Sequence, residues 1–189
     1  MTNYITWLDT APKQLNAGLT IIKKIKNDHI ILIGGNKING KKRYEMLGGR
    51  YESYDKTALH TGIREFVEEL FNVKLDTYKV DELVKHLIVN EDIIHDYTMK
   101  SPTSASYFAS FKTLGLIYNF IYHNKYEIIE PFDLAKFMET RNYSKSKCAK
   151  ADGLCEIDFI SVVYLSKVHL LPLRNFSINF LNKLKDKLS

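Results

Sequence analysis

The sequence predicts a single α/β domain spanning residues 1–189, and three observations carry that prediction. Strand-like and helix-like stretches mix along the whole chain instead of gathering in separate blocks. No linker and no internal repeat divides it. A length of 189 residues is enough to bury one proper core.

From the N-terminus, Met1–Asn16 carries the only Trp, Trp7, together with Pro12, and predicts an arm or edge element. Ala17–Ile25 reads as a strand, with Leu19, Ile21 and Ile25 at near-alternate positions, and His29–Ile33 as a second strand ended by Gly34-Gly35-Asn36. Lys26-Asn27-Asp28 between them makes a hairpin. Lys37–Lys42, with Asn39-Gly40 inside it, is expected to be a loop or turn, and Tyr44–Leu47 a brief strand leading into Gly48-Gly49.

A helix is predicted over Lys56–Leu70, with Asp55 as its N-cap. Leu59, Ile63, Phe66, Val67 and Leu70 recur at helical spacing and form its apolar stripe. Beyond it, Tyr78–Val89 reads as a strand and Glu91–Thr103 as a polar loop holding His95, Lys100 and Pro102. Ser104–Thr113 is strand-like, with Tyr107, Ala109 and Phe111 alternating. Leu114–His123 fits either a strand or a helix. Pro131–Thr140 suggests a short helix opening on proline, Arg141–Gly153 a basic loop, and Glu156–Leu165 a β-branched strand. Pro172 then opens a last amphipathic helix with Phe176, Phe180, Leu181 and Leu184 on one side.

Composition narrows the function classes. A hydrophobic share of 45%, with twelve Tyr and ten Phe, predicts an aromatic-rich core. The formal charge of +5 suits polyanions such as RNA or polyphosphates, although many proteins are basic simply to stay soluble. Cys148 and Cys155 are too few for a disulfide framework and point to a reducing compartment. They stand alone, without the second pair that a structural zinc site needs. Met1–Asp9 does not read as a signal peptide. The longest apolar run, Leu114–Tyr122, is interrupted by Asn119 and falls short of the ~20 residues of a membrane span. A soluble cytoplasmic protein with no membrane contact is expected. The many Lys, Asn, Ile and Tyr residues hint at an AT-rich genome.

The chemistry concentrates in Leu47–Val73. On the predicted helix, Glu65, Glu68 and Glu69 lie opposite the apolar stripe and converge, since they are neighbours at i,i+3 and i,i+4. Like charges so placed destabilise a helix by a few tenths of a kcal/mol per pair. Two explanations stand: a solvated helix face, or ligands for a divalent cation. A solvated face normally mixes in lysine, and Arg64 is the only adjacent cation, so the local conflict favours the cation.

This stretch resembles the Nudix box, G-x5-E-x7-R-E-U-x-E-E-x-G-U with U apolar. Gly49 matches the leading glycine, Asp55 stands at the first glutamate, and Arg64-Glu65-Phe66-Val67-Glu68-Glu69 fits R-E-U-x-E-E. The stretch departs from the pattern in three ways. Eight residues instead of seven separate Asp55 from Arg64, Asp replaces Glu at 55, and Phe71-Asn72 replaces the terminal glycine. Asn72 is the next best residue for a left-handed cap. Weaker likenesses are Ala17-Gly18-Leu19-Thr20, similar to the opening strand of such domains, and Glu156–Leu165, similar to a late strand motif. The inserted residue and the wording around Arg64 resemble Nudix enzymes of large DNA viruses. That group includes poxvirus-type and African swine fever virus-type mRNA decapping enzymes and a baculovirus ADP-ribose pyrophosphatase.

The resemblance implies the Nudix fold, a mixed β-sheet sandwiched between helices. It implies Mg²⁺- or Mn²⁺-dependent hydrolysis of a nucleoside diphosphate linked to another group. Glu65, Glu68 and Glu69 would be the metal ligands and Arg64 would orient a carboxylate. Gly48 and Gly49 would let backbone approach substrate and metal. Glu156 would supply a further ligand or general base, with Glu91, Asp92, Glu127 and Glu130 as rivals. The leading substrate is the mRNA cap, released as m7GDP, by a protein of the host cytoplasm if viral. The alternatives are ADP-ribose, dinucleoside or diphosphoinositol polyphosphates, or an inactive module that binds RNA or a nucleotide. His60, His95 and His123 read as isolated, and the basic loop as solvated unless it lies near the site.

Overall fold

A computed structural model of the chain describes residues 15–89, 99–101, 104–124, 134–140, 142–144 and 157–188. The fold is mixed α/β, with eight strands in one sheet and helices on both of its faces. Strands β1 (Asn16–Ile25) and β2 (Asp28–Ile38) form the predicted hairpin, turning at Lys26, whose φ is 51°. Strand β2 does not stop at its glycine pair as expected. It runs on to Ile38 and pairs with β3 (Lys41–Glu45) across Asn39-Gly40. Those two residues have φ of 50° and 76°, the positive angles of a tight hairpin turn. The pair is glycine for closeness. A Cβ at Gly34 would strike the Leu47 side chain, and one at Gly35 would strike the Arg43 carbonyl.

Of the brief strand expected over Tyr44–Leu47, only Tyr44 and Glu45 are strand, as the end of β3, and a further strand β4 (Gly48–Arg50) begins on the glycine pair itself. Helix α1 (Ala58–Phe71) follows. The next element corrects the sequence reading. Thr77–Val89 is helix α2, not a strand. Its buried residues, Val80, Leu83, Val84 and Leu87, keep a helical period, and Asp76 Oδ1 accepts from the backbone N–H of Lys79 at 2.8 Å as a cap. The β-branched content hides that period.

Strands β5 (Met99–Ser101) and β6 (Ser104–Ala109) come next, β5 occupying part of the expected polar loop. Strand β6 is shorter than expected because Ser110 caps a helix: its hydroxyl accepts from the Thr113 N–H at 3.3 Å. Helix α3 (Phe111–His123) takes over both the end of the expected strand and the ambiguous Leu114–His123. Helix α4 (Leu134–Thr140) and strands β7 (Asn142–Ser144) and β8 (Phe159–Tyr164) lead to a 3₁₀ helix at Leu165–Leu170. The last helix, α5 (Asn175–Leu188), begins three residues after Pro172. The intervening segment is hydrogen-bonded to β3, with Tyr44 N–H donating to the Pro172 carbonyl at 2.9 Å and Arg174 N–H to the Tyr44 carbonyl at 3.0 Å.

The strand order is β5-β6-β1-β2-β8-β7, with β3 paired to β2 and β4 to β1. All pairings are antiparallel except β1 with β6, which is parallel and makes the sheet mixed. Strand β6 runs along Asn16–Ile21 while β4 pairs with Asn16–Gly18, so these two take the opposite edges of the first part of β1. Alternation along the strands builds two cores. Ala17, Leu19, Ile21 and Leu32 face α1, α2 and α3 on one side. Ile31, Ile33 and Phe108 face Leu165, Val168, Phe180, Leu181 and Leu184 on the other. The expected helix–sheet–helix layering is therefore present. No helix among the described residues is long and apolar enough to cross a membrane.

Candidate active site on the first helix

Helix α1 is set in place at both ends. Its N-cap is Thr57, whose hydroxyl accepts from the His60 N–H at 3.4 Å, and not Asp55 as the sequence suggested. Its C-cap is Asn72, left-handed at φ 58°, donating its N–H to the Glu68 carbonyl at 3.1 Å. Asparagine tolerates that conformation better than other non-glycine residues, which explains how the helix ends without glycine. The apolar stripe Leu59, Ile63, Phe66, Val67 and Leu70 is completely buried.

The acidic face is not the open surface that its distance from the stripe suggested. Strand β4 and its approach loop cover it. Gly62 of α1 lies against the backbone of Gly18 in β1, where a Cβ would sit 3.3 Å from the Gly18 carbonyl. Gly18 in turn admits the Leu47 carbonyl where a Cβ would collide with it. Gly48 has φ 150°, and a Cβ there would come within 2.5 Å of the Ala17 carbonyl oxygen. A Cβ on Gly49 would overlap the Glu65 carboxylate. The glycines thus bring the β4 backbone onto the acids of the helix.

Arg64 is the centre of the resulting network. Its guanidinium donates twice to Asp55, from Nε to Oδ1 at 3.2 Å and from Nη2 to Oδ2 at 3.0 Å. Nη2 also donates to the Arg50 carbonyl at 2.7 Å. Nη1 donates to both Glu65 Oε1 at 2.9 Å and Glu68 Oε2 at 3.2 Å. The Arg64 and Asp55 side chains are only 3% and 1% exposed. Asp55 Oδ2 accepts further bonds from the Thr61 hydroxyl at 2.9 Å and the Glu52 N–H at 3.0 Å. Asp55 is therefore the buried, bidentate anchor of the arginine.

The three glutamates do not all converge. Glu65 and Glu68 share Arg64 Nη1, with side chains 17% and 13% exposed. Glu69 has a different partner, its Oε2 accepting from the Gly48 N–H at 2.8 Å. Burial pushes the Glu68 carboxyl up to about 7, Arg64 opposing and Glu65 adding to the shift. Burial works against the charge on Arg64, but Asp55, Glu65 and Glu68 outweigh it and hold the guanidinium above its ordinary value. Among the described residues, Arg64 is hydrogen-bonded to three carboxylates here. That surplus of negative charge, made entirely of oxygen donors, fits a hard divalent ion in chemistry. Among the described residues no three His, Cys, Asp or Glu side chains are yet gathered tightly enough to hold one. Glu65 and Glu68 are joined through Arg64 Nη1, and Glu69 stands at the neighbouring Gly48 amide.

Glu156, Glu91, Asp92, Glu127, Glu130, His95, Trp7, both cysteines, and Arg141, Lys145, Lys147 and Lys150 of the expected basic loop lie outside the described residues, while Asn142–Ser144 of that loop is strand β7. His60 is not isolated: Nδ1 lies 2.8 Å from the Thr57 hydroxyl, and Nε2 lies 3.3 Å from Asp81 on α2.

Two features escaped the sequence reading. Tyr54 is exposed and lies with its ring centroid 5.7 Å from the Arg64 guanidinium carbon. Its only sequence signal is its place next to Asp55. A cavity of about 290 Å³ opens at the glycine pair, lined also by Asn16, Glu45, Met46, Ser106, Arg174 and Ser177. These residues come from β1, β6, the end of β3 and its exit, and α5 with the residue before it, so no local pattern could reveal them.

No family model matches the chain, and no curated protein matches it. The chain is similar to the crystal structure of a MutT/Nudix family protein from Listeria innocua, at TM-score 0.43 and 16% identity over 93% of this chain and 94% of that one. The solution structure of the Escherichia coli ORF135 protein compares at TM-score 0.36 and 11% identity, covering 92% and 90% of the two chains. A MutT/Nudix family protein from Enterococcus faecalis compares at TM-score 0.33 and 16% identity, covering 55% of this chain and 39% of that one.

Proposed function

We propose that the chain is a metal-dependent hydrolase of the Nudix type that cleaves a pyrophosphate linkage. The observation that supports this most is the Arg64 network, in which one buried arginine ties Asp55 to Glu65 and Glu68 under the Gly48-Gly49 backbone. A helix surface made only for solvation has no need of that burial. Glu65, Glu68 and Glu69 would hold Mg²⁺ or Mn²⁺, and Arg64 would keep the first two in position. Such an ion, when bound, neutralises the dense negative charge of a diphosphate and lowers the pKa of attacking water. Gly48 and Gly49 would pass the substrate backbone over the acids, and Glu156 remains the proposed additional base.

Within this reading the mRNA 5′ cap is the proposed substrate, with release of m7GDP. The net positive charge and the exposed aromatic Tyr54 beside the acids favour a nucleotide joined to a polyanion. The intact carboxylate set speaks against an inactive binding module. The test is hydrolysis with Mg²⁺ or Mn²⁺ on a panel of cap-labelled RNA, ADP-ribose, dinucleoside polyphosphates and an inositol pyrophosphate. Glu68→Gln and Glu69→Gln are expected to reduce turnover by more than the roughly 10–100-fold that loss of an outer partner costs a metal site. Full activity in either variant would refute the mechanism.

A further inference from the structure

We propose that the β2–β3 hairpin is a docking surface for the phosphate backbone of single-stranded RNA, carrying the substrate chain away from the acidic site. Its two strands present Lys37, Lys41, Lys42 and Arg43, all exposed. The register sets Lys37 directly opposite Lys42, with Asn36 opposite Arg43 and Ile38 opposite Lys41. Like charges facing each other across a strand pair are destabilising. Among the described residues no carboxylate side chain pairs with any of the four cations. Two acids adjoin the hairpin with other partners than these side chains. Glu45 pairs with Arg174 at 2.7 Å and accepts from the Asn36 amide at 2.7 Å, and Asp158 accepts the Lys37 backbone N–H at 2.6 Å.

Lysine on an edge strand also guards against pairing with other chains. That role does not require a like-charge pair or four cations on one short ribbon. A polyanion resolves the conflict, because each phosphate it brings neutralises a charge that the hairpin leaves unmatched. The surface also has an apolar side suited to a nucleic acid. A groove of about 270 Å³ is lined by Lys41, Lys42 and Arg43 together with Ile38, Pro172 and Leu173, and Ile38 is 47% exposed. Ribose and base edges can rest there while phosphates meet the lysines.

Position gives the surface its direction. Strand β3 runs straight into Met46, Leu47 and Gly48, so the cations and the glycine pair share one stretch of chain. At ~3.3 Å per extended residue, Arg43 to Gly48 spans no more than about 17 Å. An RNA whose 5′ end lay at Gly48 would have its next few phosphates over the hairpin. This direction rests on the hydrolase reading; the binding itself does not.

The test uses the full chain and a short 5′-capped RNA carrying a fluorophore, with affinity followed by anisotropy over a series of salt concentrations. The variant is Lys37→Ser, Lys41→Ser, Lys42→Ser and Arg43→Ser together. It is expected to bind RNA at least about tenfold more weakly. The slope of log affinity against log salt should shrink by roughly 2–3, since each phosphate that a single strand no longer has neutralised removes ~0.7. Its unfolding midpoint should equal or exceed the parent's, and hydrolysis of ADP-ribose, or whichever small diphosphate the parent cleaves, should be unchanged. Unaltered RNA affinity and slope would overturn the proposal. So would hairpin-dependent binding to phosphatidylserine vesicles without binding to RNA, or an equal loss of small-substrate hydrolysis, which would make the hairpin a structural support only. A parent protein that hydrolyses nothing yet binds RNA with this slope would refute the hydrolase and leave the docking surface standing.

Discussion

Two clusters of like charge sit within one continuous stretch of this chain, and they are settled in opposite ways. On α1 and in the loop before it, Glu65, Glu68 and Asp55 crowd around a buried Arg64, so most of their repulsion is answered inside the protein. On the β2–β3 hairpin, Lys37, Lys41, Lys42 and Arg43 face water with no carboxylate partner among the described residues. The first cluster uses a cation to hold anions at a fixed geometry. The second leaves its charge available at the surface. Burial of the cluster, more than its count of charges, separates a positioned site from a docking face. Buried charges must be paired where they stand, whereas exposed ones can wait for a partner.

The comparison breaks most visibly at Arg64. Arg64→Ala would strand Asp55 in a closed environment and set Glu65 against Glu68. We expect a loss of about 3–5 kcal/mol, read as a lower midpoint in urea unfolding. Arg64→Lys should recover little, since an ammonium cannot make the two parallel bonds to Asp55. A midpoint within error of the parent would mean that the network is not built as described. Gly48→Ala should cost less, about 1–3 kcal/mol, because a Cβ must fit φ 150° beside the backbone of Ala17 and Gly18. Its signature is lost stability with the Arg64 network intact, measurable by the same titration.

The hairpin should respond with the opposite sign. Lys42→Glu turns the facing pair with Lys37 into an opposite-charge pair and is expected to raise stability by about 0.2–1 kcal/mol. A thermal scan at low salt reads it, and the gain should shrink as salt screens the pair. A destabilised Lys42→Glu would show that the placement of Lys42 4.8 Å above the Phe159 ring outweighs charge relief.

A third cluster gives the smallest and most conditional effect. Asp81 meets Lys56 at 3.0 Å, Lys85 at 2.8 Å and His60 at 3.3 Å. Burial holds His60 below its ordinary value of 6.5, although Asp81 pulls the other way. The unfolded chain therefore takes up this proton first. The contribution is complete above about pH 6.5 and is lost as the pH falls through the lowered folded value. Thermal unfolding from pH 8 to 5 should show an acid decline that His60→Gln reduces. An equal decline in both proteins would assign it to other groups.

Much of the fold is legible along the chain, and the misses share a cause. The β1–β2 hairpin, the helix α1 and the helix–sheet–helix layering follow from alternation, turn residues and a stripe, all local signals. Thr77–Val89 reads as a strand because Val80, Val84, Ile88 and Val89 favour strands by type, although the buried positions keep a helical period. Strand β2 outruns its glycines because Leu47, Arg43 and Phe159, distant or facing residues, fill the space where side chains would be. At the site, the sequence singles out Arg64 and the glutamates but does not give Asp55 its role. Only packing shows that Asp55 is enclosed by Thr61, Arg64 and the Glu52 amide.

What the sequence determined by itself was the acidic helix face, its arginine, the glycine pair before it and the capping asparagine. Each is encoded in spacing and backbone preference over a few residues. Tertiary structure alone decided that β4 closes over that face, that Glu69 turns to the Gly48 amide while Glu65 and Glu68 share Arg64, and that a cavity forms beside it from four separate elements. Those outcomes depend on which backbones can approach each other across Gly18, Gly48 and Gly62. Close approach between segments distant in sequence is a property of the packed sheet and helix, and no single stretch of chain carries it.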